Sequence, residues 1–146
     1  MRLTEICTSA DETYALGERI GGELIAGDVV LLYGGLGAGK TLLIKGIMDA
    51  LGYDVDEVTS PSFTLVNQYR TDRFDVYHID LWRLESSKNP GGAVGLAEIL
   101  EDQKAVTLIE WADHLRDTSL PARVIRIEIE GDGDEPRKIA MISEDK

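Results

Sequence analysis

Residues 34–41 read Gly34-Gly-Leu-Gly-Ala-Gly-Lys-Thr41, which is the spacing G-x-x-x-x-G-K-[ST]. Glycines in such a loop let backbone N–H groups converge on an anion without side-chain obstruction, and a following helix adds the positive end of its dipole. On this reading Gly35, Leu36, Gly37, Ala38, Gly39, Lys40, Thr41 and Leu42 surround the phosphates of a nucleotide. Lys40 meets the β- and γ-phosphates, and the Thr41 hydroxyl holds Mg²⁺. An ordinary glycine-rich turn could produce the same letters. The flanks separate the two readings: 29–33 is a buried strand by its apolar run, and 40–51 reads as a helix.

A phosphate loop also needs a carboxylate, typically at the end of an apolar strand, to help hold or orient the metal. Two acids stand in that position. Glu110 follows the apolar run 105–109, and Asp80 closes the strand-like run 74–81 near its end. A solvated strand end is the plain alternative for each. Mg²⁺ prefers few carboxylates with water and phosphate oxygens, so both can act partly through water. Glu110 could instead orient the attacking water, and spacing alone does not separate these roles. The candidate catalytic set is therefore Lys40, Asp80 and Glu110, and the candidate metal set is Thr41, Asp80 and Glu110.

His78 lies two residues before Asp80, on the same strand face. It reads as a packed or hydrogen-bonding residue, because no second His or Cys sits at ligand spacing. Trp111 reads as core, although its place beside Glu110 brings it near the nucleotide. Arg73 and Arg83 could reach a γ-phosphate, although an ordinary surface arginine is the default reading of each and an arginine finger can also come from a partner. Lys40 is expected in an open, solvated loop, so its replacement should weaken nucleotide binding with little effect on folding.

These residues need a frame. Ser9-Ala-Asp-Glu12 fits a capping box, and Leu16, Ile20 and Leu24 recur at helical spacing, which predicts a helix over about 10–25. Gly27-Asp28 turns the chain into the first strand, and Gly52 reads as the stop of the loop helix. Residues 60–66 alternate polar and apolar, an extended segment with one polar face. Residues 89–92 form a loop and 96–100 a short helix. Strands over about 123–130 and 137–143 form a closing hairpin. Mixed helices and strands define an α/β class, and the hairpin excludes an entirely parallel sheet.

The chain has 146 residues, 43% of them hydrophobic, which fits one globular domain over 1–146. Its one cysteine, Cys7, excludes an internal disulfide, suits a reducing compartment and reads as a small core residue. No apolar run approaches the roughly 20 residues that span a bilayer, and the first residues lack a signal-peptide stretch. A cytoplasmic protein without membrane contact is expected. The net charge of −12 argues against a broad nucleic-acid surface, which needs clustered Lys and Arg. Its plain meaning is solubility; an acidic face for a basic partner is the sharper one.

Taken together, Leu32-Tyr-Gly-Gly-Leu-Gly-Ala-Gly-Lys-Thr41, Ser60-Pro-Ser-Phe-Thr-Leu-Val66, Tyr77-His-Ile-Asp-Leu-Trp-Arg-Leu84, Gly95-Leu-Ala-Glu98, Ile109-Glu-Trp111 and Leu120-Pro121 resemble one family over nearly the whole chain. It is the bacterial tRNA threonylcarbamoyladenosine-biosynthesis ATPase family, TsaE (formerly YjeE). The loop is generic, whereas the ordered set is specific. The resemblance implies a P-loop NTPase-like three-layer α/β domain with a mixed, mostly parallel sheet and a C-terminal antiparallel hairpin. It implies ATP and Mg²⁺ as cofactors. It also implies action on a transferase subunit (TsaD) and its companion (TsaB), which modify the adenosine next to the anticodon, with any tRNA contact indirect or local. Lys40 and Thr41 carry over as phosphate and Mg²⁺ contacts, Asp80 and Glu110 as essential acids, and 60–64 as a switch-like segment. The family seats adenine near the first helix and the C-terminal strands, which marks Thr8, Ser9 and Arg137.

Three positions depart from the family pattern. Gly35 stands where Asp is usual, Leu42 where a second Thr is frequent, and Trp82 where Tyr is usual. The first two bear on hydrolysis more than on nucleotide binding. Competing functions are a small-molecule kinase, a guanine-nucleotide switch and a nucleotide-gated scaffold. A kinase would need an Arg-rich lid, which the scattered arginines do not supply. The switch would need an Asn-Lys-x-Asp run, which is absent. Gly35 keeps the scaffold open.

Overall fold

The computed structural model describes residues 2–34, 39–59, 61, 65–82, 95–115, 120, 123–131 and 136–144. The described strands are β1 (Arg2–Cys7), β2 (Val29–Tyr33), β3 (Val66–Arg70), β4 (Asp75–Asp80), β5 (Val106–Glu110), β6 (Val124–Glu130) and β7 (Arg137–Glu144). They form one seven-stranded sheet in the order β1-β7-β6-β2-β5-β4-β3. The helices are α1 (Ala10–Glu23), α2 (Lys40–Ala50) and α3 (Leu96–Leu100), with short 3₁₀ turns at Val55–Glu57 and Ala112–His114.

The four central strands β6, β2, β5 and β4 run parallel. Both flanks are antiparallel: β7 and β1 on one side, β3 on the other. The expected hairpin is β6–β7. Parallel strands covered on both faces must be apolar throughout, and every residue of β5 is buried, as are the first four of β2. One core, which includes Val30, Leu32, Leu43, Ile44 and Leu108, fills the space between the sheet and α1/α2. A second, including Val29, Leu31, Ile79, Ile109 and Leu96, covers the opposite face. This is the expected three-layer arrangement. No described helix is long and apolar enough to cross a membrane.

α2 must lie close over β2 if its first turn is to meet a loop leaving that strand. Glycines at the crossing permit the packing of α1 on α2. A Cβ on Gly17 would collide with the Leu43 carbonyl, and one on Gly46 with the Tyr14 carbonyl. Glycine costs a helix interior about 1 kcal/mol relative to alanine, so the close crossing compensates a local weakness. Ser9 caps α1 by accepting from Glu12 N at 3.2 Å. The reciprocal arm of the expected capping box is displaced by one residue: Glu12 accepts from Thr8 N at 3.4 Å and from Thr8 Oγ1 at 2.6 Å. Cys7 is buried, as expected. Gly52, with φ +80°, ends α2's turn in the left-handed region.

Several details differ from expectation. α1 ends at Glu23 rather than near 25. The strand after Gly27-Asp28 is the second, because β1 precedes α1 and pairs with β7. β3 continues the segment expected to be extended; residues 60 and 62–64 of that segment lie outside the described residues. So does the loop expected at 89–92.

Candidate functional site

Register sets the site. Leu32 of β2 pairs with Glu110 of β5, and Glu110 pairs with Asp80 of β4. The two acids therefore stand at one level at the carboxyl ends of adjacent parallel strands, one residue below the point where Tyr33 leads into Gly34. Ligands of open α/β sheets bind in the crevice beyond such strand ends. Residues paired in a parallel ladder share a face. That face is the one covered by α2, whose first residue is Lys40.

Lys40 is not in an open, solvated position. It is 6% exposed. Its Nζ donates to the Gly34 carbonyl at 2.7 Å and lies 4.0 Å from the centroid of the Trp111 ring. Burial pushes its pKa below the usual lysine range, against the raising influence of Glu110, Asp80 and Asp113. Trp111 holds its side of this contact from a left-handed backbone, φ 58° and ψ 43°, where a bulky residue is strained. It is half-buried against the second core rather than wholly inside it.

Asp80 is buried, and its Oδ1 accepts from Trp82 N at 2.9 Å. Burial raises its carboxyl pKa; the Trp82 bond lowers it, Glu110 raises it, and Lys40 and His78 lower it. Its own N–H donates to Leu65 O at 2.9 Å, and Leu65 has φ 69°, a second strained non-glycine. Leu65, which follows residues 60–64, is thus tied to the acid. On the other side, the Thr59 carbonyl accepts from Tyr69 Oη at 2.9 Å and from Asn67 Nδ2 at 3.2 Å. No sequence signal marked Tyr69 or Asn67, and the 60–66 motif did not reveal the contact of Leu65, because these roles depend on tertiary pairing.

Glu110 is buried and bonded to His78: Nε2 to Oε2 is 2.7 Å, with side chains 2% and 6% exposed. His78 is therefore the hydrogen-bonded strand residue that its surroundings implied.

Thr41 is exposed in the first turn of α2, and Leu42 is half-buried. Gly39 caps that helix with φ 94°, and a Cβ built there would stand 2.6 Å from Arg137 Nε. Arg137 thus lies against the last glycine of the loop. Its register partner is Cys7, which places the start of α1, with Thr8 and the capping Ser9, beside the same end of β7. Gly35, Leu36, Gly37, Ala38 and Arg83 lie outside the described residues. Arg73 is not at the site. Its Nη1 and Nη2 donate to Gly21 O and Leu24 O at 3.1 and 2.7 Å, capping the far end of α1. The orphan carbonyls of a helix C-terminus attract a guanidinium, and α1 has no basic residue of its own in its last turn.

The oxygen donors Thr41, Asp80 and Glu110 suit a hard divalent cation. Among the described residues no three His, Cys, Asp or Glu side chains cluster into a closed cage. A Mg²⁺ site of this kind is completed by phosphate oxygens and water, and the donors fit that pattern.

Fold and strand-end geometry together define the class, a P-loop NTPase-like α/β domain. The family follows from comparison with known sequences. The model described as "Threonylcarbamoyl adenosine biosynthesis protein TsaE" matches residues 7–139, and the chain belongs to the TsaE family. It is 37% identical over 131 residues to the tRNA threonylcarbamoyladenosine biosynthesis protein TsaE of Bacillus subtilis, covering 90% of this chain and 79% of that one. Its identity to the protein of the same name from Aquifex aeolicus is 36% over 125 residues, covering 83% and 94%. The crystal structure of Bacillus subtilis YdiB superposes with a TM-score of 0.76 at 32% identity, covering 100% of this chain and 87% of that one.

Proposed function

We propose that this chain is an ATP-binding and hydrolysing accessory protein for threonylcarbamoyl modification of the adenosine next to the tRNA anticodon. It acts on the transferase subunit (TsaD) and its companion (TsaB) and does not transfer the group itself. The observation that carries the reading is the convergence of Lys40, Asp80 and Glu110 where the loop leaves β2. Family membership supplies the tRNA-modification context.

In this reading residues 35–42 receive the triphosphate, with Lys40 leaving Gly34 O for the β/γ-phosphates. Arg137, Ser9 and Thr8 border the base. Thr41 and Asp80, with Glu110 directly or through water, would hold Mg²⁺, which when bound would offset charge on the phosphate oxygens. Glu110 orients the water. The water oxygen forms a bond to the γ-phosphorus as the bond to the β,γ-bridging oxygen breaks. ADP leaves with that electron pair, and the water's proton passes to Glu110 or to the released phosphate. Lys40 and the loop's N–H groups supply the fixed positive field at the developing charge.

Mg²⁺-dependent ATP hydrolysis, measured alone and with the transferase subunit and companion, tests this. Slow turnover that rises with the complex is the expected result. Absence of turnover in both settings, with ATP binding retained, removes the ATPase role. It favours instead a nucleotide-gated scaffold, the second reading that Gly35 supports by removing the carboxylate usual beside the phosphates. A phosphoacceptor that accelerates ATP loss would point to a kinase.

A further inference from the structure

His78 is more than a buried strand residue. Its register partner is Leu108, two residues before Glu110, so the imidazole lies one step beneath the carboxylate on the same sheet face. Both side chains are almost wholly covered, and Nε2 and Oε2 are 2.7 Å apart. A carboxylate only accepts, so with Glu110 as the acceptor the bond places the proton on Nε2. Nδ1 has no hydrogen-bond partner among the described residues, which agrees: an unpaired lone pair there is less costly than an unpaired buried N–H. The ring is tilted toward Tyr69 at 6.1 Å between centroids, and Tyr69 is itself fixed by its bond to Thr59. The imidazole is thus held in place by the sheet while its Nε2–H grips one carboxylate oxygen. Glu110 Oε1 takes no hydrogen bond from any described residue. The terminal torsion of a glutamate is broad, so without a donor on Oε2 this group would sample many orientations.

We propose that His78 is the positioning residue for Glu110: its Nε2–H fixes Oε2 and so presents Oε1 to the water of hydrolysis. This rests on the ATPase reading above. A positioning residue acts on the chemical step and not on uniform binding, so its loss should fall on kcat. Loss of an outer partner of this kind costs about 10- to 100-fold.

The experiment compares wild type, His78→Leu, His78→Gln and Glu110→Gln, each with the transferase subunit and companion present. His78→Leu keeps volume and removes the donor; His78→Gln restores an N–H near the Nε2 position. Steady-state ATP hydrolysis, equilibrium ATP binding without Mg²⁺ and thermal unfolding are measured on all four. The His78 ring tautomer is read from ¹⁵N NMR of the wild type and of Glu110→Gln. His78→Leu should lower kcat by about 10- to 100-fold with ATP affinity within about twofold of wild type, and His78→Gln should recover most of the loss. The wild-type ring should be protonated at Nε2, with that resonance displaced in Glu110→Gln. Full turnover by a folded His78→Leu, beside an impaired Glu110→Gln, overturns the proposal and leaves the ATPase reading standing. So does equal impairment of both His78 variants, or an Nδ1–H tautomer. If His78→Leu does not fold, His78→Gln and the wild-type tautomer still decide. A wild type without turnover in either setting removes the ATPase reading first, and this role with it.

Discussion

Lys40 Nζ stands 4.0 Å above the ring of Trp111, and the two residues hold each other at the mouth of the crevice. The lysine is the loop's principal cation, and it is engaged by Gly34 O and an aromatic face. In the ATPase reading a bound nucleotide would replace both contacts, and Trp111 emission would report the exchange.

Lys40→Met keeps most of the aliphatic stem and removes the charge. Because burial lowers the lysine's pKa in the folded chain, the unfolded chain binds that proton more readily. The charge therefore costs stability below the folded pKa, and the cost fades as pH rises toward the usual value of 10.5. Removing it should leave nucleotide-free stability within about 1 kcal/mol of wild type at neutral pH, since the lost bond and ring contact offset the relieved desolvation. ATP affinity should fall at least about tenfold, and Trp111 emission should change before any nucleotide is added. Urea unfolding, ATP titration and fluorescence check the three outcomes; unchanged affinity refutes the loop assignment.

Glu110 carries two loads, and two substitutions separate them. Glu110→Ala strands the buried Nε2–H of His78, which should cost about 1–3 kcal/mol of stability. Glu110→Gln keeps a carbonyl to accept that bond and should unfold near the wild-type temperature. Both should lose hydrolysis by about 100-fold or more while ATP binding stays largely intact. Equal stability of the two variants would mean that the His78 bond contributes nothing to the fold.

The parallel centre of the fold was legible in the sequence because strands covered on both faces must be apolar. The runs at 29–33 and 105–109 satisfy that without help from periodicity. β1 was not legible, because its alternation is reversed: Ile6 is 64% exposed whereas Glu5 is half-buried. β3 carries Asn67 and Gln68, poor strand formers that an edge position tolerates. At the site, residue type found Lys40, Asp80 and Glu110, since loop and strand-end chemistry is local. Neither Arg73's seat on the end of α1 nor Lys40's burial is legible in the sequence, for one reason. Each depends on a group distant in sequence, the end of α1 for the arginine and the strained Trp111 for the lysine.

Gly39 tests the loop's last turn. Its φ of 94° disfavours any Cβ by about 1–2 kcal/mol, and a Cβ would also press on Arg137 Nε. Gly39→Ala should therefore weaken ATP binding by about tenfold or more with the sheet intact by circular dichroism. Adding Arg137→Ala relieves the collision but not the backbone strain, so the double variant should not regain full affinity. Wild-type affinity in Gly39→Ala would show that the left-handed turn is dispensable for binding.

Asp80→Asn separates site chemistry from stability most sharply. The buried carboxyl titrates above its usual value of 3.8, so the folded chain holds that proton more tightly than the unfolded chain does. The folded state is then favoured below the unfolded value, and this contribution is lost as pH rises through the folded one. At neutral pH the ionised side chain is a burden that a bound cation would relieve. Asn keeps the oxygen that accepts Trp82 N and drops the charge. Without Mg²⁺ and nucleotide, Asp80→Asn should be more stable at pH 7 by about 1 kcal/mol, a gain that shrinks toward zero as the wild-type carboxyl protonates in acid. With Mg²⁺ and ATP the order should reverse, because the wild type alone gains the metal contact. Urea unfolding at pH 7 and near pH 3.8, with and without ligand, measures all four corners. A variant less stable than wild type at pH 7 without ligand would mean that Asp80 is a structural acid, stabilised by its neighbours and not held in readiness for a cation.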